Sequence, residues 1–143
     1  MLLPDFLPAA DAFAISGPVR ADVVHVVDGD TLLVHARPWP QQMIEVYVRL
    51  RGIDAPEIRS RCRSERDAAI AARDHLAAMI ADHATVLLEN ISADKYFGRV
   101  VADVALDDGL NPAHELLAAD LATAYGAPDP SRSSCDRTPG RRG

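Results

Sequence analysis

Val23-Val24-His25-Val26-Val27-Asp28-Gly29-Asp30-Thr31-Leu32-Leu33-Val34-His35 is the stretch from which the fold can be read. It is β-branched and aliphatic throughout, interrupted only by Asp28-Gly29-Asp30, and so reads as strand, break, strand. Asp-Gly at the apex of a hairpin is the ordinary explanation of such a break. Asp30 is in excess of it, because no Asp-Gly turn requires a second carboxylate. Two acids this close repel unless a cation or a set of donors lies between them.

Outward from this hairpin, Arg37-Pro38-Trp39-Pro40 reads as a loop, since two prolines remove ladder donors. A third strand is expected over about Ile44–Arg51. There Val46, Val48 and Leu50 face one way, and Tyr47, Arg49 and Arg51 the other. Ser64-Glu65-Arg66-Asp67 has the form of a helix-start box. Behind it Ala69, Ala72, Leu76, Met79 and Ile80 recur with helical spacing, ending near Asp82. Strands are expected at about Thr85–Asn90 and Arg99–Leu106. Asn111-Pro112 opens a second helix running through Leu116, Leu117 and Leu121. Five short strands, one helix inserted and one following, predict a small β-barrel with appended helices. Residues 1–20 read as an irregular lead-in, 21–126 as the folded domain and 127–143 as a flexible tail.

The chain has 143 residues, enough for one domain with a real core. No apolar run approaches the roughly 18 residues of a membrane span. A net charge of −6 argues against coating nucleic acid by bulk charge, yet leaves room for a local phosphate site. Residues 46–73 hold seven arginines (Arg49, Arg51, Arg59, Arg61, Arg63, Arg66 and Arg73) against four acids. This is the only internal stretch that attracts anions, and by itself it reads as a solvated face. Cys62 and Cys135 stand in no metal-ligand pattern, and are either one disulfide or two unrelated thiols. Ala12-Phe13-Ala14 has the form of an export cleavage site, but no basic residue precedes it and prolines break the apolar run. The compartment is therefore left open between secreted and cytoplasmic.

Three stretches carry chemistry: Asp28-Gly29-Asp30-Thr31, Arg49-Leu50-Arg51-Gly52-Ile53-Asp54-Ala55-Pro56-Glu57 and Asp94-Lys95-Tyr96-Phe97-Gly98-Arg99. Each has a bland reading: a hairpin turn, a turn with a surface ion pair, a polar loop. In the second, a strand-end arginine precedes two carboxylates on a rigid loop, placing cation, metal ligand and base close together. The oxygen-rich composition suits calcium, a hard ion taking 6–8 oxygens. Zinc is disfavoured, because no Cys or His cluster is present. In the third stretch, an arginine can bind phosphate through two parallel hydrogen bonds, and a tyrosine adds a donor or a stacking face. The five histidines show no ligand or catalytic spacing.

In order, spacing and wording, these stretches together resemble the staphylococcal-type nuclease (thermonuclease) family over roughly Val23–Tyr125. The resemblance implies an α+β, mainly β fold: a five-stranded OB-type barrel with about three helices. It implies a Ca²⁺-dependent endonuclease that hydrolyses phosphodiester bonds of DNA and RNA. Single-stranded or frayed substrate would be favoured, with 3′-phosphate products, and a monomer is expected. Asp30 and Asp54 match the calcium carboxylates, and Ala55 the position that donates a backbone carbonyl. Glu57 matches the general base, and Arg49 and Arg99 match the phosphate-clamping arginines. Lys95 and Tyr96 match residues near the terminal phosphate, Tyr125 an aromatic by the nucleotide, and Asp28 a supporting carboxylate. Two departures stand out. Phe97 lengthens the loop before Arg99 by one residue, and Ala55 replaces a threonine. The rival reading is an OB-type module that binds nucleic acid without cutting it, and a third is a calcium-stabilised structural domain.

Overall fold

The computed structural model describes residues 14–83 and 85–136. The readings of residues 1–13, including most of Ala12-Phe13-Ala14, and of 137–143 lie outside the described residues.

Five strands close a barrel. They are β1 (Val19–Asp28), β2 (Thr31–Trp39), β3 (Gln42–Leu50), β5 (Thr85–Ala93) and β6 (Arg99–Ala105), in the order β1-β2-β3-β6-β5. The β3–β6 pair is parallel and the other pairings antiparallel. Closure needs strong curvature, and β1 supplies it through register shifts between Val23 and His25 and between Val26 and Asp28. A two-stranded patch, β4 (Ile53–Asp54) with β7 (Thr123–Ala124), sits beside the barrel. Three helices occur among the described residues: α1 (Arg63–Ile80), α2 (Pro112–Ala118) and α3 (Ser133–Asp136).

The predicted alternation places the core. Leu32, Val34, Val48, Leu50, Val86, Leu88 and Val104 point inward, at most 2% exposed. The α1 stripe of Ala69, Ala72, Leu76 and Ile80 joins them, together with Leu116 of α2. Gly29 owes its identity to this packing. A Cβ there would stand 2.7 Å from that of Ala72 and 2.8 Å from that of Ala55, so only glycine lets the β1–β2 turn lie against α1.

Five local expectations differ from the structure. Helix α2 ends at Ala118, short of Leu121, because Asp120 turns to φ +59° and cannot continue it. β1 starts at Val19 and not Val23 because its first residues pair on both edges, as Arg20 does with Arg37 and Leu87. β2 continues through Pro38 to Trp39; Pro38 has no partner in either ladder, so its missing N–H costs nothing there. Helix α1 is not opened by a Ser64 cap. Its N-cap is Cys62, which makes no side-chain cap bond, and the Ser64 hydroxyl donates instead to the Ser131 carbonyl at 2.6 Å. Finally, residues 130–136, read as flexible tail, form a 3₁₀ turn (Pro130–Arg132) and α3, fastened to α1 by a Cys62–Cys135 disulfide. Composition could not settle that pairing, because it depends on the two Cα atoms lying 5.9 Å apart.

Candidate functional site

The first strand hairpin and β3 meet through their register. Thr31 lies opposite Arg49, and Arg49 lies opposite Val101 of β6. The acidic turn, the end of β3 and the start of β6 thereby open on one side of the barrel. They form a cleft of about 810 Å³. All ten residues singled out from sequence line it: Asp28, Asp30, Arg49, Asp54, Ala55, Glu57, Lys95, Tyr96, Arg99 and Tyr125.

Arg49 is the hub. Its side chain is only 15% exposed. Nη1 donates to the Ile53 carbonyl at 3.0 Å, Nη2 donates to Asp54 Oδ1, and Asp30 Oδ2 lies 3.5 Å from Nη2. The Tyr125 ring lies 5.3 Å from the guanidinium. Tyr125 reaches this position because its backbone N–H donates to the Gly52 carbonyl at 3.0 Å, beside the β4–β7 patch.

Asp30, 8% exposed, accepts from the Ala55 N–H at 2.8 Å and from the Thr31 hydroxyl at 2.9 Å. Asp54 Oδ2 accepts from the Gly126 N–H at 2.8 Å. Asp28 accepts from the Asp30 backbone N–H at 3.0 Å. Its burial, followed by the hydrogen bond and charge of the Asp30 carboxyl, pushes Asp28 up to about 7. The charge of Glu57 adds to that rise. This end of the cleft is thus crowded with negative charge.

On β6, the strand next to that of Arg49, Arg99 Nε donates to Asp94 Oδ2, and the Tyr96 ring lies 4.8 Å from its guanidinium. Burial draws the Asp94 carboxyl up, but the bond from Arg99, the Lys95 N–H and the charges of Arg99 and Arg49 outweigh it. The group therefore lies below the usual carboxylate range. Binding through Nε alone leaves both terminal amino groups of Arg99 without a hydrogen bond among the described residues. Lys95 stands 5.4 Å from the Tyr96 ring. The extra Phe97 does not disrupt the loop. It projects fully into solvent, and Gly98, at φ +87°, absorbs the turn behind it.

Glu57 is exposed on the loop between β4 and α1. Its Oε2 accepts a 3.4 Å bond from the Arg59 N–H. One residue missed by sequence reading holds this loop. Glu65, 4% exposed, accepts the Glu57 backbone N–H at 2.9 Å. Its place inside a helix-start pattern masked it; the only signal was an acid at a position that the helical stripe puts on the buried side. The arginine-rich stretch also divides. Arg49 and Arg51 both line the cleft, but Arg51 is tied to Asn90, Ser92, Val101 and Asp103. Arg63 and Arg73 pair with Asp67 and Asp74, and Arg66 donates to the Ser60 carbonyl. The guanidinium groups of Arg59 and Arg61 make no ion pair with a carboxylate among the described residues.

Among the described residues, no three His, Cys, Asp or Glu side chains converge as a ready-made metal site. What the cleft offers is a hard-oxygen donor set. Both oxygens of Asp30, and Oδ2 of Asp54, accept hydrogen bonds from protein N–H or O–H groups. Each carboxylate oxygen has lone pairs beyond the bond it accepts. Asp28 is raised first by burial and then by the Asp30 carboxyl beside it. The donor chemistry fits calcium and not a thiol- or imidazole-preferring metal.

No curated protein matches the chain. A family model described as staphylococcal nuclease homologue matches residues 47–137.

Proposed function

The chain belongs to the staphylococcal nuclease homologue family, and from that premise we propose that it is a calcium-dependent endonuclease hydrolysing phosphodiester bonds of DNA and RNA. The observation carrying this reading is the convergence of two sets of residues on one cleft. The matched span begins at Tyr47, so Asp28 and Asp30 lie outside it, yet the barrel sets them beside Arg49, Asp54 and Glu57. A module that only binds nucleic acid has no use for an open glutamate beside a phosphate, because it repels the ligand.

The side chains divide the work. Arg49 and Arg99 face the cleft from adjacent strands and would take the phosphate oxygens between them, offsetting the charge that builds as water adds. Arg99, anchored through Nε, presents its two terminal amino groups as a planar fork. Glu57 would orient the attacking water and accept its proton. Asp30, Asp54 and the Ala55 carbonyl would hold calcium, which when bound supplies positive charge to the phosphate. Asp28 supports Asp30 through the Asp30 backbone N–H. Tyr96, Lys95 and Tyr125 rim the cleft, where a splayed base can stack and a terminal phosphate can be met. Such a rim favours single-stranded or frayed substrate. By the same resemblance the P–O5′ bond would be the one broken, the leaving 5′ oxygen taking up a proton from solvent, so that the products would carry a 3′-phosphate.

Digestion of heat-denatured DNA with Ca²⁺, with EDTA, and with an E57Q protein tests the reading. Cutting is expected with Ca²⁺ alone and should fall by about 10²-fold or more in E57Q. Folded protein that cuts under no metal would overturn the nuclease in favour of a binding module.

A further inference from the structure

Glu65 is a buried carboxylate that the proposed chemistry does not use. Such a group is costly unless its oxygens are partnered. Oε2 accepts the Glu57 backbone N–H at 2.9 Å, and Oε1 lies 3.6 Å from Arg132 Nε. Neither contact serves helix α1 itself, although Glu65 stands in its first turn.

Arg132 is held in place by the C-terminal segment. It closes the Pro130–Arg132 turn, whose start is capped by Asp129 accepting from the Ser131 N–H at 2.9 Å. Ser64 Oγ donates to the Ser131 carbonyl at 2.6 Å and lies 3.1 Å from Ser134 Oγ. Three residues after Arg132, Cys135 is joined to Cys62, which precedes α1. The contacts therefore run without a gap from the disulfide to Arg132, to Glu65 and to the backbone of Glu57. Among the described residues, the far end of that path is the one exposed acid of the cleft; Asp28, Asp30, Asp54 and Asp94 are buried or half-buried.

We propose that Glu65 is a positioning residue that fixes the Glu57 backbone and so aims its carboxylate into the cleft. Arg132, on the disulfide-fastened C-terminal segment, holds Glu65 in turn. This inference rests on Glu57 acting on the attacking water. A carboxylate displaced by as little as an ångström loses most of its use in a transition state while leaving phosphate binding to the arginines and the metal site.

The test uses the full chain with its disulfide intact, on heat-denatured DNA with Ca²⁺. E65A removes the acceptor and should lower kcat by more than about tenfold, with KM within about twofold of wild type. E65Q keeps an oxygen for the Glu57 N–H and should restore most of kcat. In an E57Q background E65A should cost nothing further, because its effect passes through the Glu57 carboxylate. Should E65A not fold, R132Q, at a half-exposed position, carries the test, with a smaller kcat loss at unchanged KM and again none in E57Q. Folded E65A or R132Q at wild-type kcat overturns the proposal, as does a loss of equal size in E57Q. A wild-type protein that cuts nothing overturns the nuclease reading instead.

Discussion

The two walls of the cleft are held by different means. On the barrel wall, Asp28, Asp30, Arg49 and Arg99 sit on strands or at their ends, and ladder register places each one: Thr31 opposite Arg49, and Tyr47 opposite Arg99. On the other wall, Asp54, Glu57 and Tyr125 lie in short segments with little regular pairing. They are placed by individual bonds: Gly126 to Asp54, Tyr125 to Gly52, and Glu65 to Glu57. A strand transmits position through many weak ladder bonds and a packed core, so no single side chain decides it. A loop held by single contacts depends on each of them, and on the cross-link that secures their source.

The largest expected effect falls on the loop wall. Replacing both cysteines by serine (C62S/C135S) frees a closed loop of sequence separation 73 and should cost about 4 kcal/mol of stability by loop-closure entropy. Urea denaturation measures it. An unchanged midpoint would mean that the C-terminal segment restrains nothing, and the contrast between the walls would collapse.

Next in size, R49K and R99K should each lower kcat more than about tenfold, since lysine cannot supply the planar fork. Thermal melting should find these variants close to wild type, because the charge beside Asp30 and Asp94 is kept and strand pairing is untouched. Near-normal rates in both would remove the arginine clamp. A large loss of Tm in either would show that the barrel wall also depends on single side chains.

The smallest effect sharpens the barrel wall itself. Asp28 sits at about 7 in the folded protein, against a reference near 3.8. Between these values the folded state holds a proton that the unfolded state has released, so this group's contribution to stability falls as pH rises and levels off above about 7. In EDTA, D28N should therefore raise Tm at pH 8 and give no gain at pH 4. A gain that is the same at both pH values would show that the cost of ionising buried Asp28 is not its source.

Much of the fold was legible because its signals are local. Period-two alternation over Val46–Leu50 and helical spacing over Ala69–Ile80 each follow from a few neighbouring residues. The misreadings have a common origin in distant partners. β1 begins early because β5 offers it an edge, Pro38 is tolerated because neither ladder reaches it, and Ser64 is drawn from capping by Ser131. Gly29, read as a turn residue, is demanded by Ala72, far along the chain.

Which chemical groups are on offer follows from the order of residues alone. That order set carboxylates without clustered sulfur or imidazole, two arginines suited to phosphate, and the strand periods from which a small barrel follows. Folding brings these groups into one cleft, sets Cys62 against Cys135, and turns Glu65 toward Glu57 and not toward its own helix. The difference is one of range. Propensity and periodicity act between near neighbours, whereas barrel closure joins β1 to β5 and β3 to β6, and burial then selects which side chains must find partners there.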